Sequence, residues 1–303
     1  MTLELVARGR ALRLGDRPLL MGVVNATPDS FSDAGRYATL GARVERARSL
    51  VEAGADIVDI GGESGVTNRP AVAPDEEIAR VVPLIERVAA ELDTVVSVDT
   101  YKPPVARAAI AAGAAIVNDI SGLRDPELAD VCAETGAALV VMHTRAEPKE
   151  KLLDRRFDGR AAEDARSFLA ERMALAILRG VAPEQIVLDP GPDFGKTPAQ
   201  TVEVLRALPS FHALGRPLLL AVSRKDFLGV ITGRPPAERG AATLAALSFG
   251  LDAGAHIFRV HDVAAAADFI AVRAVLRGDV ELPPDASLVE ELRRQPAETP
   301  GSD

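Results

Sequence analysis

Eight short apolar runs punctuate the chain: LLMGVVNA (19–26), DIVDIGGE (56–63), TVVSVDT (94–100), AIVNDIS (115–121), ALVVMHT (138–144), QIVLDPG (185–191), PLLLAVSR (217–224) and HIFRVHD (256–262). Within each run the hydrophobic residues are nearly continuous, without the alternation of a half-exposed strand. This pattern predicts parallel strands covered on both faces. The stretches between them carry charged faces at helical spacing. Over 78–92, Ile78, Val82, Ile85 and Ala89 fall on one side of a helix that Pro83 is expected to bend. Residues 164–180 and 198–208 read in the same way. EAGAD (52–56), AAGAA (111–115) and DAGAH (252–256) each close a helix with glycine and enter the next strand.

Strands alternating with helices eight times over predict an α/β fold, a (β/α)8 TIM barrel. A doubly wound open sheet is the alternative, but it wants a GxGxxG or GxxxxGK[ST] phosphate loop, and neither is present. LELVARGRALRL (3–14) predicts a small hairpin across the barrel floor. The expected organisation is one domain: a hairpin over 1–18, the barrel over 19–282 and a polar tail over 283–303.

Composition narrows the function classes. The formal net charge is −9 and the pI about 5.1, which argues against nucleic acid as the main partner. No run approaches the ~20 apolar residues of a membrane span. The N-terminal MTLELVARGR is charged where a signal peptide is apolar. One cysteine, Cys132, forms neither an internal disulfide nor a zinc site by itself, so a reducing cytoplasm is expected.

In a TIM barrel the C-terminal strand ends form the active site. Here they read Asn25, Gly61-Gly62-Glu63-Ser64, Asp99, Asn118-Asp119, His143, Asp189, Ser223-Arg224-Lys225 and Arg259 with His261. Any one of these is accounted for by a helix cap or a loop hydrogen bond. Eight on one mouth are not. Asp99, Asn118 and Asp189 suit the donor and acceptor edge of a flat neutral heterocycle, since a carboxylate can accept two parallel N–H bonds. Arg259 and His261, with Asn25, suit a phosphate, and Lys225 suits either group. A diphosphate would favour Mg2+ held by one or two protein oxygens.

Read together, MGVVNATPDSFSDAG (21–35), DIGGES (59–64), SVDTYK (97–102), VNDISG (117–122), VMHTR (141–145), LDPGPDFGKT (188–197), AVSRKDFLG (221–229) and FRVHDV (258–263) resemble the dihydropteroate synthase family, in that family's order. The resemblance implies a TIM-barrel transferase of folate synthesis. It would join 6-hydroxymethyl-7,8-dihydropterin diphosphate to p-aminobenzoate, with Mg2+, in a dimer that sulfonamides target. By position, Asp99, Asn118, Asp189 and Lys225 would hold the pterin. Asn25, Arg259 and His261 would hold diphosphate, with Asn25 on the metal. Thr67, Arg69, Met142 and Phe194 would also meet substrate, and Phe31, Ser32 and Asp33 would form a lid with the 61–70 loop. The implied catalytic set is Asp99, Lys225, Arg259 and His261. Diphosphate leaves first in that family, and the arylamine attacks a stabilised pterin-methyl cation.

Three departures from the family pattern fall on the acceptor side. Gly65, Val66 and Asn68 lengthen the second loop, Asp193 replaces a usual glycine, and Asp226 replaces a serine at a helix start. Asp226 is either a helix N-cap or a charge facing the acceptor's carboxylate. Three readings remain open: the ordinary synthase, a homologue using a less anionic amine, and a pterin-binding protein without turnover. The pterin-binding corrinoid methyltransferases explain neither NATPDSFSD nor SRK.

Overall fold

The computed structural model describes residues 3–15, 17–27, 39–65, 67, 70–289 and 292. The chain divides into two compact units, Met1–Ala267 and Asp268–Asp303. The first opens with an antiparallel hairpin, β1 (Leu3–Ala7) and β2 (Arg10–Leu14), with Leu5 paired to Leu12. Eight parallel strands follow: β3 (Leu19–Asn25), β4 (Ile57–Gly61), β5 (Val95–Asp99), β6 (Ile116–Asp119), β7 (Ala138–Met142), β8 (Ile186–Asp189), β9 (Leu219–Leu220) and β10 (Ile257–Val260). Their spatial order is β8-β7-β6-β5-β4-β3-β10-β9, and a parallel bridge between Leu188 and Leu218 joins the two ends. The sheet is therefore a barrel. Its apolar runs are continuous because one face packs on helices and the other on the lumen, as both-sided burial requires.

The helices that cover it are α1 (Leu40–Glu52), α2 (Pro74–Glu91), α3 (Pro103–Ala111), α4 (Glu127–Thr135), α5 (Ala161–Leu178), α6 (Pro198–Arg206), α7 (Leu208–Phe211), α8 (Asp226–Thr232), α9 (Gly240–Asp252) and α10 (Val263–Arg277), the last spanning the boundary between the units. Gly54, Gly113 and Gly254 end three of the predicted helices at φ of +99°, +123° and +81°. That conformation suits glycine at a helix end. Two details differ from expectation. α2, which contains Pro83, buries Glu77, Val81, Leu84, Ile85 and Val88, one position round from the predicted stripe. Val81, Leu84, Ile85 and Val88 set that face, and Glu77, which shares it, is paired in the interior with Lys102 at 2.5 Å. The run at 217–224 yields only a two-residue strand.

Inside the barrel, Leu19, Met21, Ile57, Val95, Val140, Val187, Leu219 and Ile257 form an apolar layer together with Leu5, Ala7 and Leu14 of the hairpin. Burying one such side chain contributes about 1.5–3 kcal/mol. Arg8 fixes the hairpin to the strand entries: its backbone N–H donates to Gly136 O at 2.7 Å and its guanidinium to Ile110 O at 2.8 Å. The hairpin closes the floor of the barrel. Among the described residues, no helix is long and apolar enough to cross a membrane.

Candidate active site

Side chains alternate across a strand, so residues two apart share a face. From the apolar floor layer this alternation carries the lumen face upward to Asn25 on β3, Asp59 and Gly61 on β4, Ser97 and Asp99 on β5, Asn118 on β6, Met142 on β7, Asp189 on β8 and Arg259 on β10. The strand register sets Asp99 beside both Gly61 and Asn118, and Asp189 beside Met142. The predicted ring-binding and phosphate-binding residues thus stand at one mouth. Asp119 and His143, two other strand-end groups, do not. Asp119 faces outward and accepts from the N–H groups of Ser121 (2.7 Å) and Leu123 (2.5 Å), shaping the turn after β6. His143 turns to Asp164 on α5 at 3.1 Å and stacks edge-on against Phe168.

Arg259 is the centre of the mouth's electrostatics. Its Nε donates to Asp59 Oδ2 at 2.7 Å and its Nη2 to Asp99 Oδ2 at 2.8 Å. Burial opposes its charge, but the two carboxylates outweigh that and hold the guanidinium more firmly protonated than usual. One cation between two anions leaves a surplus negative charge. Burial first, then the neighbouring Asp59, pushes Asp99 up to about 7. Asp189 is also raised by burial, although Gly191 N–H donates to its Oδ1 at 2.7 Å. Asp59 was not among the predicted residues. Its signal was a lone carboxylate in an otherwise apolar strand, Ile-Val-Asp-Ile-Gly.

Lys225 sets its ammonium 4.1 Å from the centroid of the Phe194 ring, and burial lowers its pKa. Its backbone belongs to a constrained turn, in which Arg224 takes φ +60°. Arg239, buried and also missed from sequence, clamps that turn. Its Nη1 donates to the carbonyls of Arg224 (2.8 Å) and Lys225 (3.1 Å) and to Asp226 Oδ1 (2.9 Å). Gly229 makes room for it, since a Cβ there would lie 2.2 Å from Arg239 Nη2. Asp226 is the first residue of α8 and not its N-cap, which is Lys225. The side chain that caps α8 comes from another loop: Asp193 Oδ2 accepts from Phe227 N–H at 3.1 Å, and its Oδ1 from Thr201 at 3.0 Å.

His261 rests its Nδ1 on Ser223 Oγ at 2.9 Å, while Arg46 holds its carbonyl at 2.7 Å. Burial, then Arg259 and other nearby cations, lower it to about 3, so the imidazole is neutral at neutral pH.

The root of the second loop is held by Glu63. Its Oε2 takes Lys102 at 2.6 Å and Val72 N–H at 2.7 Å, and its Oε1 takes Tyr101 at 3.0 Å. Lys149, from the loop after β7, reaches across to Glu63 Oε1 at 3.1 Å and to Ser64 O. Thr67 is exposed beyond this root. Arg69, Phe31, Ser32 and Asp33, with the added Val66 and Asn68, lie outside the described residues.

The donor set can be tested for Mg2+. Among the described residues, no three His, Cys, Asp or Glu side chains are grouped to hold a metal. Asn25 stands at the end of β3, which pairs with β10, the Arg259 strand. One amide oxygen plus the oxygens of a bound diphosphate and water is a hard, oxygen-only set that fits Mg2+.

A barrel mouth that sets hydrogen-bond acceptors around a buried guanidinium bonded to two of them has the layout of an enzyme for a flat, polar ring bearing an anionic group. Comparison with known proteins narrows the class. A family profile described as pterin binding enzyme matches residues 21–261. The dihydropteroate synthase of Bacillus subtilis (strain 168) is 43% identical over 254 residues, 84% of this chain and 86% of that protein. The Xanthomonas albilineans dihydropteroate synthase with 4-aminobenzoic acid superposes with a TM-score of 0.83 at 41% identity, covering 91% of this chain and 99% of that one. A sulfonamide drug complex of the Yersinia pestis enzyme gives 0.83 at 35% identity, with 91% and 99% covered. This chain belongs to the dihydropteroate synthase family of pterin-binding enzymes.

Proposed function

We propose that the protein is a dihydropteroate synthase, joining 6-hydroxymethyl-7,8-dihydropterin diphosphate to p-aminobenzoate and releasing diphosphate. The observation that carries the reading is the mouth itself. Asp99, Asn118 and Asp189 share the lumen face, with Arg259 hydrogen-bonded beside them. Asp189 and Asp99 accept N–H groups of the ring, Asn118 contributes an amide, and Lys225 and Phe194 close one side. Met142 lies beneath, and Arg259 with the neutral His261 donates to diphosphate oxygens. Asn25 would hold Mg2+, which when bound screens the charge of the leaving group.

The C–O bond to diphosphate breaks first, and its electron pair leaves with the diphosphate. Positive charge develops on the pterin methylene, and the carboxylates along the ring stabilise it through a fixed field. The amine nitrogen then forms the new C–N bond and loses one proton to the departing diphosphate or to water. Little proton transfer is asked of the protein, consistent with a neutral His261 buried among cations. Thr67, Arg69, Phe31, Ser32 and Asp33 serve as the lid and acceptor contacts. Sulfonamides, as mimics of p-aminobenzoate, compete there.

A less anionic amine is the second reading. It is favoured by Asp193, whose carboxylate already takes an N–H at the start of α8. We also read the protein as a homodimer in a reducing cytoplasm. The homodimer is supported by exposed Val230 and Ile231 on α8 and Phe249 on α9, and sedimentation tests it. The deciding experiment for function is diphosphate release from the pterin substrate with Mg2+, with and without p-aminobenzoate. Release dependent on p-aminobenzoate supports the synthase, and release that only another arylamine elicits supports the second reading. No release with either sinks both.

A further inference from the structure

Asp59 interrupts a strand that is otherwise apolar, and it is fully buried. Its Oδ2 accepts two hydrogen bonds, from Arg259 Nε at 2.7 Å and from Asn118 Nδ2 at 3.2 Å. Its Oδ1 has no hydrogen-bond partner among the described residues. Neither does Ser97 Oγ, on the residue paired with Asp59 in the neighbouring strand. Burying a carboxylate with one oxygen unpaired is costly. Its strand neighbours Val58 and Ile60 are apolar and fully buried, so the carboxylate stands alone in an apolar stretch of β4.

Two geometric effects follow from the shared oxygen. Oδ2 is the acceptor in both bonds, so Asn118 turns its NH2 group toward Asp59. Its carbonyl oxygen then faces the opposite way, and the amide cannot flip without losing that bond. The second effect is on Arg259. With Nε fixed by Asp59 and Nη2 by Asp99, the plane of the guanidinium is set before any anion arrives. Bidentate anion recognition depends on that plane.

We propose that Asp59 is a positioning residue for the transfer reaction: it fixes Asn118 as an acceptor toward the pterin ring and holds Arg259 in plane for diphosphate. The proposal rests on the assignment of ring and diphosphate ends made above. It also defines the ligand edge, because the ring must bring an N–H to Asn118. A ring presenting only a lone pair there is refused.

Asp59→Asn, Asp59→Val and the swap Asp59→Asn with Asn118→Asp test it. Wild-type protein is measured first, and its failure to bind pterin would count against the functional reading and not against Asp59. Calorimetry with a diphosphate-free hydroxymethylpterin reads the ring end, and steady-state turnover reads both ends. In Asp59→Asn the pterin should bind roughly tenfold more weakly, and kcat should fall further, by about a hundredfold, with KM for the amine nearly unchanged. The swap restores an acceptor at 118 and should recover most pterin binding, while kcat stays low because Arg259 Nε has lost its carboxylate and only Nη2 keeps one, at Asp99. The proposal is overturned if Asp59→Asn melts at a lower temperature yet binds pterin and turns over as wild type does. It is equally overturned if the swap restores kcat. Should Asp59→Val not fold, the asparagine variant alone decides.

Discussion

Asp226 Oδ1 lies 2.9 Å from Nη1 of Arg239, so the carboxylate that replaces the family's serine is paired with a buried cation from 13 residues further along the chain. The pairing changes what the substitution means. Asp226 is 86% exposed, and part of its field is cancelled by its partner. Its repulsion of an incoming carboxylate is correspondingly reduced. Asp226→Ser should therefore lower KM for p-aminobenzoate only modestly, by about threefold. An unchanged KM with a lower melting temperature would assign Asp226 to Arg239 alone.

Arg239→Ala should be much more damaging. It leaves the carbonyls of Arg224 and Lys225 without their donor and loosens a turn in which Arg224 is held at φ +60°. The expected loss is about 2–4 kcal/mol of stability, read by denaturant unfolding, with weaker pterin binding through a misplaced Lys225. Arg239→Lys should not rescue it, since one ammonium cannot span the same acceptors.

The two ends of the mouth should separate by mutation. Asp189→Asn swaps an acceptor for a donor against a buried N–H, and should weaken binding of a diphosphate-free pterin by ~2–4 kcal/mol. Arg259→Ala should chiefly weaken the diphosphate-bearing substrate. If calorimetry finds both ligands affected alike by both variants, the division is wrong.

Asp99 gives opposite pH trends for stability and for binding. Its carboxyl is pushed up to about 7 in the fold, from 3.8 in the unfolded chain. Between those values the unfolded chain gives up its proton and the fold keeps it, so this group's contribution to stability falls as pH rises from 4 to 7. A ring N–H needs the ionised carboxylate, so pterin affinity should rise over pH 6–8. Asp99→Asn should flatten both profiles.

Gly191 stands two residues after Asp189, at φ +65°, where a Cβ would lie 2.1 Å from His143 O. Gly191→Ala is expected to cost roughly 3 kcal/mol or more, because backbone must move against backbone. Thermal unfolding checks it.

The eight strands were legible because both-sided burial leaves continuous apolar runs, and the mouth because strand ends turn polar. What could not be read was phase. A continuous run does not say which residues face inward, so it does not single out Asp59 and it brings His143 to the mouth although that side chain faces α5. On α2 two apolar stripes one residue apart are nearly equivalent in the sequence, and the buried one carries Glu77, whose partner Lys102 lies on another element. Arg239 and the capping role of Asp193 likewise depend on partners from other loops. Spacing carries no record of such pairings.

The hairpin floor has a kinetic consequence. With Leu5, Ala7 and Leu14 packed into the lumen, a molecule resting on Met142 and Asp189 has one exit, past whatever stands above it. The expected order therefore seats the ring-bearing reactant before the amine, with the joined product withdrawing ring end last. That order would follow from a floor made of two short strands, at the end of the barrel away from the mouth.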